Sequence, residues 1–272
     1  MASFRGKASA GFVVAVAAVA IAFLILPIVG IFFHTTPAEV LRQLSNPAVV
    51  DALVVTAKTS LAAQALVLLF GTPTAYLLAT RRFRGRSVVV TLVELPLVLP
   101  PAVAGLGLLA ALGRTGMLHT SLPFTQAAVV VAVAFVASPL YIRQAIAAFE
   151  AVDPRLPAAS RTLGAGPART FFRVMLPLAR GGLVAGLALS FARGIGEFGA
   201  TIMFAGSLQG VTQTLSLAIY QEFAVSFNTA IAMSCVLVIV SALLLLTIRF
   251  ALSWQRSPST PSPSLFGLSS SR

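Results

Sequence analysis

The stretch Glu150-Ala-Val-Asp-Pro-Arg-Leu-Pro-Ala-Ala-Ser-Arg-Thr-Leu-Gly164, running on through Ala165-Gly-Pro-Ala-Arg-Thr-Phe-Phe-Arg-Val-Met-Leu-Pro177, is polar and arginine-studded and lies between long apolar segments. Its residues punctuate two short helices. Asp153 can cap a helix of about ten residues whose first turn holds Pro154, and Gly164 stands where that helix would end in a left-handed conformation. Pro167 can open a second short helix that runs through Arg169, Phe171, Phe172, Arg173 and Met175 and closes before Pro177. Joined by Ala165 and Gly166, the pair predicts a compact knob. Leu156, Ala159 and Leu163 recur at i, i+3 and i+7, a narrow apolar stripe flanked by Arg155 and Arg161 and suited to a groove on a partner. The same residues also describe a helical hairpin lying on lipid headgroups.

The rest of the chain fixes the class. Apolar residues make up 58% of the sequence and charged residues 10%, and the mean hydropathy of +0.96 is far above that of a soluble domain. A spanning helix needs about 20 mostly apolar residues, and such stretches occur near 10–33, 52–80, 88–112, 126–149, 183–204 and 229–252. The expectation is an all-α polytopic membrane protein with about six transmembrane helices and no separate soluble domain. The chain divides into a first helix with its external loop (1–51), a transmembrane core (52–254) containing the knob (150–177), and a serine- and proline-rich tail (255–272) too poor in apolar residues to pack. The first apolar stretch is longer than a signal-peptide core and reads as a retained anchor. Cys235, alone and inside the last apolar stretch, excludes an intrachain disulfide framework and reads as a packing residue.

Basic residues sort by side. With the N-terminus inside, the inner flanks carry Arg5 and Lys7, then Arg81, Arg82, Arg84 and Arg86, then Arg155, Arg161, Arg169, Arg173 and Arg180, then Arg249 and Arg256. The outer loops are left with Arg42 and Arg114. Both termini are therefore expected in the cytoplasm. The net charge of +12 is a topology signal whose natural neighbours are anionic lipids, and it calls for no nucleic acid.

Ala158-Ala159-Ser160, three residues, Gly164, nine residues, then Val174-Met175-Leu176-Pro177 resembles the coupling-loop signature of ABC importer permeases. There a Glu-Ala-Ala triplet precedes Gly and then Ile-x-Leu-Pro at that spacing. Ala158 replaces the glutamate, Ser160 the second alanine and Val174 the isoleucine. Two further stretches, Glu94-Leu-Pro-Leu-Val-Leu-Pro-Pro-Ala-Val-Ala-Gly105 and Arg193-Gly-Ile-Gly-Glu-Phe-Gly-Ala-Thr-Ile-Met-Phe-Ala-Gly206, resemble the molybdate permease subunits, with sulfate permeases as close relatives. The resemblance runs from about residue 52 to about residue 254. It implies a type I importer permease fold in the bacterial inner membrane and a homodimer around a central path. It also implies separate cytoplasmic ABC ATPase subunits that bind ATP and Mg, an extracytoplasmic oxyanion-binding protein, and no cofactor on this chain. On this resemblance Asp153, Leu156, Ala158, Ala159, Ser160, Leu163, Gly164, Leu176 and Pro177 form the coupling loop. Glu94, Pro96, Pro100, Pro101, Arg193, Glu197 and Thr201 belong to the path or its gate.

Physical chemistry singles out the same membrane stretches. Pro96, Pro100 and Pro101 interrupt the third span and release carbonyls that lipid cannot satisfy, so the segment should line a water-filled cavity or lie as a kink buried in protein. Glu94 is too costly to face lipid and sits near the headgroups or turns inward. Arg193 and Glu197, four residues apart, share a helix face. They either neutralise each other or act on a passing dianion, Arg193 offsetting its charge and Glu197 keeping it from binding too tightly. Gly194, Gly196 and Gly199 spell a dinucleotide-type pattern with no preceding strand, and read instead as small residues for close helix approach, like Gly182 and Gly186. His34 and His119 lie in or beside external loops without metal-site spacing, and neither Lys7 nor Lys58 has a phosphate-loop context. The sequence thus points to the permease subunit of an ATP-driven oxyanion importer: molybdate first, then sulfate, thiosulfate or tungstate. An ATPase-independent channel or ion-coupled carrier is the reading from another class.

Overall fold

The computed structural model describes residues 2–254, and among these the regular elements are helices. The tail 255–272, expected to be disordered, lies outside the described residues. The first helix, α1 (Ala2–Phe33), is followed by the short α2 (Pro37–Leu44) and by α3 (Pro47–Thr80). Thr36 caps α2 by accepting the Glu39 N–H at 3.3 Å, and Asn46 caps α3 by accepting the Ala48 N–H at 3.0 Å, each just ahead of a first-turn proline. The division expected at 51/52 therefore falls inside α3. Gly85, at φ +89°, turns the chain into α4 (Arg86–Val98), which leads to α5 (Pro101–Leu112). The long α6 (Gln126–Glu150) precedes the knob helices α7 (Arg155–Thr162) and α8 (Pro167–Thr170). A widened π turn (Phe171–Met175) leads into α9 (Leu176–Ile195), and α10 (Gly199–Ala205), α11 (Leu215–Phe223) and α12 (Phe227–Trp254) complete the chain.

Among the described residues, five helical stretches are long and apolar enough to cross a membrane: Phe12–Phe33, Pro47–Thr80, Gln126–Glu150, Pro167–Ile195 and Phe227–Thr247. The sixth apolar stretch is α4 and α5, which meet at 115°. The cause is local. Leu99 and Pro100 each precede a proline and are driven to ψ of 133° and 135°, where no helix continues.

Two expectations are corrected here. The helix opened by Pro167 does not close before Pro177. In the π turn the Leu176 N–H reaches the Phe171 carbonyl, and this shifted pairing leaves a position that needs no amide donor, which Pro177 fills. The fifth span is accordingly not 183–204 but Pro167–Ile195. It stops at Gly196 because the Glu197 carboxylate takes the Ala200 N–H at 2.8 Å and starts a new helix.

The core is the crossing of α3, α6 and α9, filled by Val67, Tyr141, Ile142, Phe149, Met175 and Leu183. Small residues set its tightness, as the glycine spacing predicts. A Cβ at Gly182 would stand 2.5 Å from the Ala148 Cβ, and one at Gly186 2.9 Å from the Gln144 Cβ. Tyr141 shares a 2.6 Å hydrogen bond with Thr72, so its hydroxyl is satisfied at membrane depth. A second cluster joins Ala104 and Leu108 of α5 to Val129 and Val133 of α6 and Phe204 of α10. Cys235 is buried in α12, its thiol 3.7 Å from the Ile31 carbonyl, a packing role as expected. None of the Phe12–Phe33 span is buried within the chain.

Candidate functional site: a docking knob and two helix breaks

The knob is built by its caps. Asp153 Oδ1 accepts the Arg155 N–H at 2.9 Å, which starts α7. Gly164, at φ +83°, closes it in the left-handed region, and the Ala165 and Gly164 amides return to the Ser160 and Arg161 carbonyls, both at 3.0 Å. Serine in place of alanine at position 160 has a visible consequence: its hydroxyl meets that of buried Thr170 at 3.2 Å, linking α7 to α8. Leu156 and Leu163 are left 46% and 87% exposed, so the apolar stripe is not spent on this chain's own core. Asp153, Leu156, Ala158, Ala159, Ser160, Leu163 and Gly164 are gathered in the knob. Leu176 and Pro177 sit at its root, in the first turn of α9.

The root is fastened to the bundle. The Phe171 ring lies edge-on to Tyr76 of α3 at 4.8 Å and 6.2 Å from Phe149 of α6. On the neighbouring corner, Arg86 pairs with Glu150 at 2.5 Å and donates Nε to the Leu78 carbonyl at 2.6 Å, tying the start of α4 to the ends of α3 and α6. The root of the knob thus packs directly on the ends of α3 and α6.

The second part of the site is the meeting of the two helix breaks. A Cβ at Gly199 would fall 2.5 Å from the Pro101 Cβ, and one at Gly105 2.7 Å from the Ala200 carbonyl, so the α4–α5 bend and the start of α10 are in direct contact. Pro100 and Pro101 are exposed on the surface of the single chain. At the α9–α10 break, Arg193 Nη1 lies 2.8 Å from Glu197 Oε2, an ion pair whose angle falls short of a hydrogen bond. Glu197 is buried, whereas the Arg193 side chain is 35% exposed, so one end of the pair is fixed in protein and the other reaches the surface. Thr201, one turn on, is fully buried with its hydroxyl unbonded among the described residues.

Two further residues, Arg143 and Gln64, belong to the site. Arg143, within α6, lies 3.6 Å from Glu94, so this carboxylate is turned towards a cation. An arginine inside the apolar run 126–149 was itself the signal, since such residues pair or face water. Gln64, buried in α3, makes no side-chain hydrogen bond among the described residues, and its Nε2 lies 3.6 Å from where a Cβ on Gly194 would stand. A lone glutamine in an apolar run carries too weak a signal to mark it.

Comparison with known proteins bears on this geometry. Residues 68–256 match the family described as binding-protein-dependent transport system inner membrane component. The molybdenum transport system permease protein ModB of Mycobacterium tuberculosis is 40% identical over 83% of this chain and 88% of its own length. The sulfate transport system permease protein CysT of Escherichia coli is 36% identical over 78% of this chain and 79% of its own. In three dimensions, a chain of a bacterial alginate ABC transporter, solved in complex with a periplasmic protein bound to alginate pentasaccharide, superposes with a TM-score of 0.69. It is 17% identical, and the match covers 93% of this chain and 94% of that one. The helical knob, the broken spans and these likenesses agree: the chain belongs to the binding-protein-dependent transport system inner membrane components, as a multi-pass transport subunit with the type I ABC importer permease fold.

Proposed function

We propose that two copies of this chain enclose the membrane path of a molybdate importer, fed by an extracytoplasmic binding protein and driven by separate cytoplasmic ATPase chains that hold ATP and Mg. The observation that carries the reading is the knob, with its unspent apolar stripe and its aromatic attachment to α3 and α6. Such a knob gives an outside motor a grip on the bundle. Knob and basic flanks face the cytoplasm, and both termini lie on that side. The 40% identity to ModB over most of both chains supports molybdate as cargo. In the path, the exposed end of Arg193 offsets part of a dianion's charge, while Glu197 holds the guanidinium in place and limits how tightly the anion binds.

The test is ATP hydrolysis by the reconstituted complex with its binding protein. Molybdate is expected to stimulate it several-fold and sulfate much less. The CysT likeness supports sulfate as a second reading, and the reverse order of stimulation would establish it. Transport by this chain without any ATPase would replace both readings with a channel or carrier. A further expectation concerns the gate. Freed carbonyls at the α4–α5 bend need protein or water, so cysteines at Ala102 in a Cys235→Ala background should crosslink two copies, more in one nucleotide state than another. Equal, low crosslinking in every state would make the bend a packing feature.

A further inference from the structure

At the inner end of the bundle, between the α3–α4 turn and the knob, lies a cleft of about 540 Å³. It adjoins a smaller one of about 280 Å³ that shares Thr80, Arg81, Pro157, Arg161 and Met175. Four arginines line the larger cleft, Arg81, Arg82, Arg86 and Arg161, against one carboxylate, Glu150. That carboxylate is already engaged by Arg86. Arg81, Arg82 and Arg161 are solvent-exposed and pair with no carboxylate among the described residues, Arg161 donating its Nε to the Pro157 carbonyl at 3.2 Å, so the cleft is a concentration of positive charge that attracts an anion. We propose that this cleft is a binding site for a phosphate group, and that the group is the headgroup of an anionic phospholipid.

Position, shape and chemistry favour that occupant. The spans α3 and α6 end at Thr80 and Glu150, which puts the cleft where the apolar slab gives way to headgroups. Part of its wall is apolar, formed by Ala79, Phe149 and Met175, which suits the glycerol end of a lipid better than a fully hydrated ion. The planar guanidinium fork matches phosphate oxygens two at a time. Arg81 and Arg82 come from the α3–α4 turn and Arg161 from α7, so one headgroup would brace the knob against the bundle. The proposal rests on no assignment of the transported solute.

The test is native mass spectrometry of the full-length protein titrated with phosphatidylglycerol or phosphatidylcholine. The wild type should hold one phosphatidylglycerol in preference to phosphatidylcholine. The double variant Arg81→Gln/Arg82→Gln should lose that preference by roughly tenfold or more, and Arg161→Gln, on the opposite wall, should lose it in part. Arg84→Gln is the control: this residue is in the same turn and exposed but does not line the cleft, so its preference should stay unchanged. Equal retention by wild type and double variant would overturn the site. Displacement of the lipid by millimolar inorganic phosphate would overturn the lipid assignment in favour of a free anion. Displacement by the ATPase chain would overturn it in favour of a protein contact.

Discussion

Gly164→Arg is expected to insert and assemble normally and yet to lose coupled transport altogether. At φ +83° any side chain is strained, but the position opens onto free space, so a Cβ meets nothing within 4 Å. The conformational cost alone is about 1–2 kcal/mol, less than a domain of ordinary stability can lose without unfolding. What remains is bulk. The arginine would stand beside Leu163, on the face left uncovered by this chain, where a partner's groove would have to close. Gly164→Ala imposes the strain without the bulk and should retain much of the activity. Gly164→Asn, a residue that tolerates left-handed backbone, should retain more. The measurements are anion uptake at matched expression and co-purification with the ATPase chain. Full uptake by Gly164→Arg would remove the docking role of the knob.

Glu197→Leu should be the most destabilising single change in the path. It leaves the Arg193 guanidinium at membrane depth without its counter-ion and takes away the acceptor for the Ala200 N–H. Breaking such a pair from one side costs about 3–5 kcal/mol, and the partial exposure of Arg193 puts the expected loss at the lower end. Replacing both partners, Arg193→Leu with Glu197→Leu, removes the orphaned charge and should recover part of the stability, read as the unfolding midpoint in detergent. The double variant then isolates function from folding. If it is folded but transports several-fold more slowly, the charge of Arg193 serves the passing anion; transport at the full rate would make the pair a structural device.

The knob was legible because its punctuation is backbone chemistry written in single letters. Asp153, Gly164 and Pro167 each admit few conformations, and the caps and the left-handed closure form where they stand. The bend at Leu99 and Pro100 was legible for the same reason. The fifth span was not. Pro177 reads as a stop because the π turn that accommodates it has no residue signature of its own, and the glycines at 194–199 read as packing residues when one of them, Gly196, also ends a helix. That glycine reading was itself sound in part: Gly199 does meet Pro101, whereas Gly196 faces open space. Arg143 lies within a span and not in a loop, so the sorting of basic residues by side does not mark it, and its partner Glu94 lies on another helix. Contacts such as these depend on how spans pack, which one span's letters do not encode.

The unbroken helical path from Pro167 to Ile195 begins in the knob helix α8, passes the root at Leu176 and Pro177 after an irregular turn, and ends close to Arg193. At about 1.5 Å per residue its 29 residues form a shaft of about 43 Å. From the root at Pro177 to Arg193 is about 24 Å of this shaft, so a swing of about five degrees at the root carries the arginine's backbone sideways by roughly 2 Å. Because Gly182 and Gly186 pack closely on α6 along that length, α6 would have to move with the shaft, and the displacement would grow steadily from the root towards the guanidinium.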